Sequence, residues 1–164
     1  MTLSVCWHEA IGDADALAHY FVANVDSSYI SHGELLCGRA VAPGQWAPDV
    51  EAVVALELES ILSGAEPGKR VAVAREDGNI VGLAIVDLEA SDATPCAVIE
   101  DIIVGRDARG SGRGAAFLGA LVDLLRADGH QGVLLESGIE NARAHSFFER
   151  HGFEVVSKVL FRRI

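Results

Sequence analysis

Positive charge is scarce in this chain: 13 Lys and Arg stand against 24 Asp and Glu, a formal net charge of −11 over 164 residues. Binding a nucleic acid needs a basic face to neutralise phosphates, so this balance counts against a nucleic-acid partner. It favours attraction of cations, amines among them. Cysteine is also rare. Cys6, Cys37 and Cys96 are odd in number and form no C-x-x-C pair, which argues against a disulfide framework and fits a reducing, cytoplasmic setting. No apolar run reaches the roughly 18 residues of a membrane span, so no membrane partner is expected. The opening Met1 to Cys6 has no basic stretch and soon meets His8, Glu9 and Asp13, unlike a signal peptide. His145 and His151 lie on different faces of one helix, and no histidine pair has ligand spacing with a third ligand. No metal site is expected.

What is present suffices for a core. Half the residues are apolar, and the length suits one domain over residues 1–164. Residues 3–8 read as a strand. Ala14, Leu17, Ala18, Phe21 and Val22 recur at helical spacing between Asp13 and Val25. Residues 26–46 show no strong period. After Pro48, the stripe Val50, Val53, Val54, Leu58, Ile61, Leu62 marks a second helix, ended by Gly64. Val71–Arg75 and Ile80–Val86 flank Asp77-Gly78, a hairpin signal. Ala97–Val104 is a third strand. A helix carrying Leu118, Leu121, Val122 and Leu125 follows, closed by Gly129. Val133–Leu135 is a short strand, Asn141 can cap a last helix, and Glu154–Arg163 reads as a final strand. The order predicts an α/β (α+β) fold: a mixed, mostly antiparallel central sheet of six to seven strands with helices on both faces.

Between the strand ending at Val104 and the helix near Phe117 lies Arg109-Gly110-Ser111-Gly112-Arg113-Gly114. Glycines let the backbone curl and approach a ligand closely. The helix start offers unpaired N–H groups and the positive end of its dipole. With two arginines, the turn suits a phosphate or pyrophosphate. Gly110-x-Gly112-x-x-Ala115 also satisfies a relaxed dinucleotide fingerprint, with Glu136 about 20 residues on. Against it, Gly105–Arg109 separate strand from glycines, too little chain follows for two nucleotide-binding halves, and the preceding strands look antiparallel.

Arg109-x-x-Gly112-x-Gly114 resembles the Arg/Gln-x-x-Gly-x-Gly/Ala motif of the GNAT superfamily of N-acetyltransferases. Ile99-Glu100-Asp101-Ile102-Ile103-Val104 upstream and Asn141-x-x-Ala144-x-x-Phe147-Phe148-Glu149-x-x-Gly152-Phe153 downstream resemble the family's neighbouring signatures. The resemblance implies an enzyme that moves an acetyl group from acetyl-CoA to a primary amine, with a small-molecule amine as the expected acceptor. Backbone N–H groups of Arg109, Gly110, Ser111, Gly112, Arg113 and Gly114 would hold the coenzyme pyrophosphate. The Ile102–Val104 edge would pair with the pantetheine arm, and the Val104 N–H would face the thioester oxygen. Asn141 would reach the pantetheine or a phosphate besides capping its helix. Glu100 or Asp101 would take the proton from the ammonium. Adjacent on a regular strand, they point to opposite faces unless a bulge re-aims them. Phe148 stands in the cofactor-binding wall where many members have a tyrosine acid, and phenyl donates no proton. Tyr29, His32, Glu34 and Trp46 fall in the acceptor region, where packing is the first expectation for each. Many members end with two strands where Glu154–Arg163 suffices for one, and short-tailed members with the same Ile-Glu-Asp strand are dimers sharing C-terminal strands, so the resemblance implies a homodimer. Acetylation of proteins or peptides, and coenzyme sensing without catalysis, remain alternatives.

Overall fold

The computed structural model describes residues 2–164. Its strands are β1 (Ser4–His8), β2 (Ala40–Ala42), β3 (Gln45–Trp46), β4 (Lys69–Glu76), β5 (Asn79–Asp87), β6 (Cys96–Val104) and β7 (Gly132–Leu135); its helices are α1 (Ala14–Asn24), α2 (His32–Leu36), α3 (Val50–Leu62), α4 (Arg113–Ala127) and α5 (Ala142–Arg150). Five strands form the main sheet in the order β1-β4-β5-β6-β7, and β2 and β3 make a separate hairpin. All pairings in the main sheet are antiparallel except β6 with β7. The β4–β5 hairpin turns through Asp77 and Gly78, both at positive φ, as an Asp-Gly turn that matches strand twist requires.

The sheet is covered on both faces, as its alternating apolar positions demand. On one face Val71, Val73, Leu83, Ile85 and Ile103 pack against α1 and α3, around Phe21 and Leu58. On the other, Ala72, Ala74, Ala84, Val86 and Ile99 meet Phe117, Leu121 and Leu125 of α4 and Phe148 of α5.

Two expectations need correction. The main sheet has five strands rather than six or seven. Residues Glu154–Arg163 form no strand: Val155, Val156, Val159, Leu160, Phe161 and Ile164 are exposed. β-branched residues favour extended backbone, but a strand is defined by the edge it pairs with, and within this chain no edge takes this one. In the aperiodic stretch the structure adds α2 and the β2–β3 hairpin. Ser31 and Glu34 form a reciprocal capping box at the start of α2, which is how one isolated turn stays helical.

Candidate active site

A cleft of about 420 Å³ opens where β6 and β7 part. Their parallel pairing runs from Cys96↔Gly132 to Ile99↔Leu135 and stops, while β6 continues to Val104. The Glu100–Val104 segment is therefore paired only on its β5 side, and its other edge faces the cleft. Ile102 and Val104 lie along this edge and line the cleft.

Glu100 and Asp101 differ because the strand bulges between them. The β5–β6 register passes from Ile85↔Asp101 to Val86↔Ile99, leaving Glu100 as the extra residue. The two carboxylates thereby separate. Asp101 turns inward and is 2 % exposed; it accepts the Tyr29 hydroxyl at 2.7 Å and Nη1 of Arg39 at 3.0 and 2.9 Å. Glu100 lines the cleft with Lys69 Nζ 2.9 Å from its Oε2. Burial raises the Glu100 pKa above its ordinary value, Lys69 opposes this, and the nearby charges of Glu57 and Asp101 add to the rise. The inward Asp101 is no candidate to meet an amine in the cleft directly.

The glycine-rich turn forms one mouth of the cleft. Gly110 and Gly112 both have positive φ, and Gly112 is the N-cap of α4. Gly114 lies in the first turn of that helix, where a Cβ would touch Phe147 and Val104 at about 3.6–3.7 Å. The two flanking arginines have structural partners. Arg109 donates to the backbone carbonyls of Val104 and Asn24, bracing α1 against the end of β6. Its pKa is lowered, first by burial and then by the like charges of Arg106 and Arg143. Arg113 is paired with Glu76, at 2.9 and 2.6 Å, and with the Ser111 hydroxyl. Ser111 in turn donates to the Ala108 carbonyl. The free cations of the cleft are elsewhere: Arg143 and Arg150 of α5 line it and form no ion pair among the described residues.

Asn141 caps α5, its side chain accepting from the Ala144 N–H at 3.3 Å. Phe148 is 9 % exposed on the cleft wall and packs edge-on against Phe147 and Phe153. The opposite wall comes from Asp26, Tyr29, Ser31 and Glu34. Glu136, just past β7, clasps that wall: it accepts from the Ser31 hydroxyl at 2.6 Å and the Gly33 N–H at 3.1 Å, and lies 2.8 Å from His32 Nδ1. Arg39 and the clasping role of Glu136 escape a reading of the sequence. The Ser-x-x-Glu capping signature at Ser31–Glu34 was the one local signal available there.

Two walls meet on a split parallel pair. A glycine turn and free arginines stand on one, and carboxylates stand on the other beside a half-buried glutamate. Such a site can take an anionic cosubstrate along one wall and a second reactant along the other, the layout of a group-transfer enzyme. The chain belongs to the acetyltransferase (GNAT) family, whose profile matches residues 40–153, and it is an acyl-CoA-dependent acetyltransferase. An aminoglycoside N(6')-acetyltransferase type 1 from Stenotrophomonas maltophilia is 31% identical over 113 residues, covering 66% of this chain and 73% of that protein. Among solved structures, an aminoglycoside N-acetyltransferase in complex with CoA aligns with a TM-score of 0.67 at 16% identity, over 99% of this chain and 95% of the other. A ribosomal-protein-alanine N-acetyltransferase from Brucella melitensis biovar Abortus aligns with a TM-score of 0.66 at 17% identity, over 99% and 100%. At these identities the solved structures speak for the fold alone.

Proposed function

We propose that the enzyme transfers an acetyl group from acetyl-CoA to a primary amine of a small cationic molecule, by direct attack with both substrates bound. The carrying observation is the polarity of the cleft. Arg143 and Arg150 line it from α5, Asp26 lines the facing wall, and Glu100 stands on the strand between, while the Glu34 carboxylate on that wall is turned to Ser31. The relative from Stenotrophomonas maltophilia, an aminoglycoside acetyltransferase, supports an acceptor of this chemistry.

When bound, acetyl-CoA supplies an acyl group activated as a thioester. The open N–H groups of the Arg109–Gly114 turn and the first turn of α4 suit its pyrophosphate, with Arg143 and Arg150 adding charge. The free edge at Ile102–Val104 suits an extended arm laid beside it as a further strand. The Val104 N–H then donates toward the thioester oxygen as charge builds there. An alkylammonium has a pKa near ~10 and no lone pair to attack with; Glu100, directly or through a water, takes its proton. Phe148 donates nothing to the departing sulfur. A thiol with pKa about 8.5 leaves as the thiolate without that help.

The clasp between Glu136 and Ser31–Gly33 favours a small acceptor over a peptide, because it ties the acceptor wall to the end of β7 where a peptide groove would have to stay open. The exposed apolar run from Val155 to Ile164 and the outer edge of β7, which pairs only with β6, favour a homodimer. Three free cysteines suit a reducing compartment. Among the described residues no helix is long and apolar enough to cross a membrane.

A thiol-release assay with acetyl-CoA against aminoglycosides, amino sugars, polyamines, amino acids and peptides tests the reading. Turnover is expected with small molecules carrying more than one amine. Turnover confined to peptides, or coenzyme binding with no turnover on any acceptor, would overturn it.

A further inference from the structure

Arg39 is 3 % exposed and holds together parts of the molecule that are far apart in sequence. Its Nη1 grips both oxygens of Asp101 on β6. Its Nε and Nη2 donate to one oxygen of Glu57 on α3, at 3.1 and 2.6 Å. Glu34 of the acceptor wall lies 3.9 Å away, and the guanidinium carbon sits 5.0 Å from the centre of the Phe21 ring. Tyr29, also on that wall, completes Asp101. Burial alone would depress the Arg39 pKa; Asp101 and Glu57 more than reverse this and raise it.

Stability does not require this arrangement. Well-packed apolar residues of similar volume often stabilise a core as well as a buried ion pair does. What the pair adds is a fixed direction, because a guanidinium fork accepts few geometries. Here the fork holds the residue directly after the bulged Glu100. A bulged residue has lost its regular ladder partner, so its neighbours determine its aim.

We propose that Arg39 is a positioning residue for acetyl transfer: through Asp101 it fixes the bulge that turns Glu100 into the cleft, and through Tyr29 and Glu34 it sets the acceptor wall at the matching distance. The inference rests on Glu100 as proton acceptor. Besides Asp101 on its own strand, the charged groups around Glu100 are Lys69 of β4, Glu66 just before it and Glu57 of α3. Arg39 neutralises two of these carboxylates, Glu57 and Asp101.

The test compares Arg39→Lys, Arg39→Met and Tyr29→Phe, with Glu100→Gln as reference, by steady-state kinetics on the best acceptor across pH and by calorimetric titration with coenzyme A. Tyr29→Phe removes one hydrogen bond and keeps the buried ion pair, so it reports even where an Arg39 variant folds poorly. Arg39→Lys keeps the charge and loses the fork. For it we expect acceptor kcat/KM to fall about 10- to 100-fold, as small misplacements of a reacting group do, with the acid limb of the pH profile unmoved. Tyr29→Phe should shift acceptor kcat/KM in the same direction by less, and coenzyme affinity should hold in both. Arg39→Met leaves Glu57 and Asp101 unneutralised, so the acid limb should move to higher pH. If Arg39→Lys and Tyr29→Phe lower the rate only in proportion to the folded fraction, with acceptor KM and the limb unchanged, Arg39 is a structural clamp and the proposal fails. Full activity in Glu100→Gln would instead remove the proton acceptor on which the proposal rests.

Discussion

At the scale of single residues, the bulge makes adjacent carboxylates unequal. Glu100 faces the cleft with its pKa raised, while Asp101 faces the core with its charge matched by Arg39. A base must be ionised to act, and Glu100 loses that state as pH falls through its raised pKa. The acid limb of kcat/KM is therefore expected above the ordinary glutamate range, and Glu100→Gln should remove it while costing about 10²- to 10⁴-fold in rate. Asp101→Ala should act first on the fold. It removes one of the two carboxylates that hold buried Arg39 and leaves Glu57 as its partner, a loss of about 1.5–3 kcal/mol, the scale of hydrogen bonds to a charged group, and of roughly 5–10 °C in Tm for a chain of this size. Differential scanning calorimetry beside the pH–rate profile separates the two residues. A Glu100→Gln enzyme with an intact acid limb would return the role to another group.

At the scale of elements, the acceptor wall depends on close backbone contact. Gly138, in the connection from β7 to α5, has no room for a side chain: a Cβ there would collide with the carbonyl oxygens of Ser28 and Ile30. Gly138→Ala should push that wall outward, destabilise by about 1–3 kcal/mol as overpacking does, and raise the acceptor KM while leaving coenzyme affinity intact. The coenzyme side divides differently. Since Arg109 and Arg113 are held by carbonyls and by Glu76, losing Arg143 or Arg150 should weaken coenzyme A by about 3- to 10-fold each, the scale of a charge-assisted hydrogen bond at a wet surface. Calorimetric titration of Arg143→Ala and Arg150→Ala checks this, and unchanged affinity in both would leave the turn alone in charge of the phosphates. The sequence makes α1, α3 and α4 legible because each carries an apolar stripe over several turns, and the β4–β5 hairpin because Asp77-Gly78 can hardly be anything else. The glycine turn and Asn141 were legible as helix starts for the same reason: their backbone chemistry is local. Nothing local marks Arg39, whose partner Asp101 is 62 residues away. Nor does any local signal mark a bulge at Glu100, which arises from how β5 and β6 register. The exposed run after Phe153 shows the opposite failure, since propensity announces a strand that has no edge within its own chain.

At the scale of the whole molecule, that run is the least satisfied feature. Leu160 is 93% exposed, with Val155, Val156 and Phe161 beside it, and the outer edge of β7 is unpaired in the main sheet. A tail with strand propensity and an open edge have a common remedy, pairing between chains, which removes apolar surface from water and fills backbone donors and acceptors together. Isologous exchange of two such tails closes after two copies. Light scattering on the full chain is expected to give twice the 17.3 kDa chain mass, and a variant ending at Phe153 to give a single chain. In that variant both walls of the cleft are still built from residues before Glu154, so coenzyme A should still bind. Apparent stability of the full chain should rise with protein concentration, as mass action requires when only folded chains associate. A single-chain mass for the full protein at working concentration, with stability independent of concentration, would mean that the tail serves something other than a second copy.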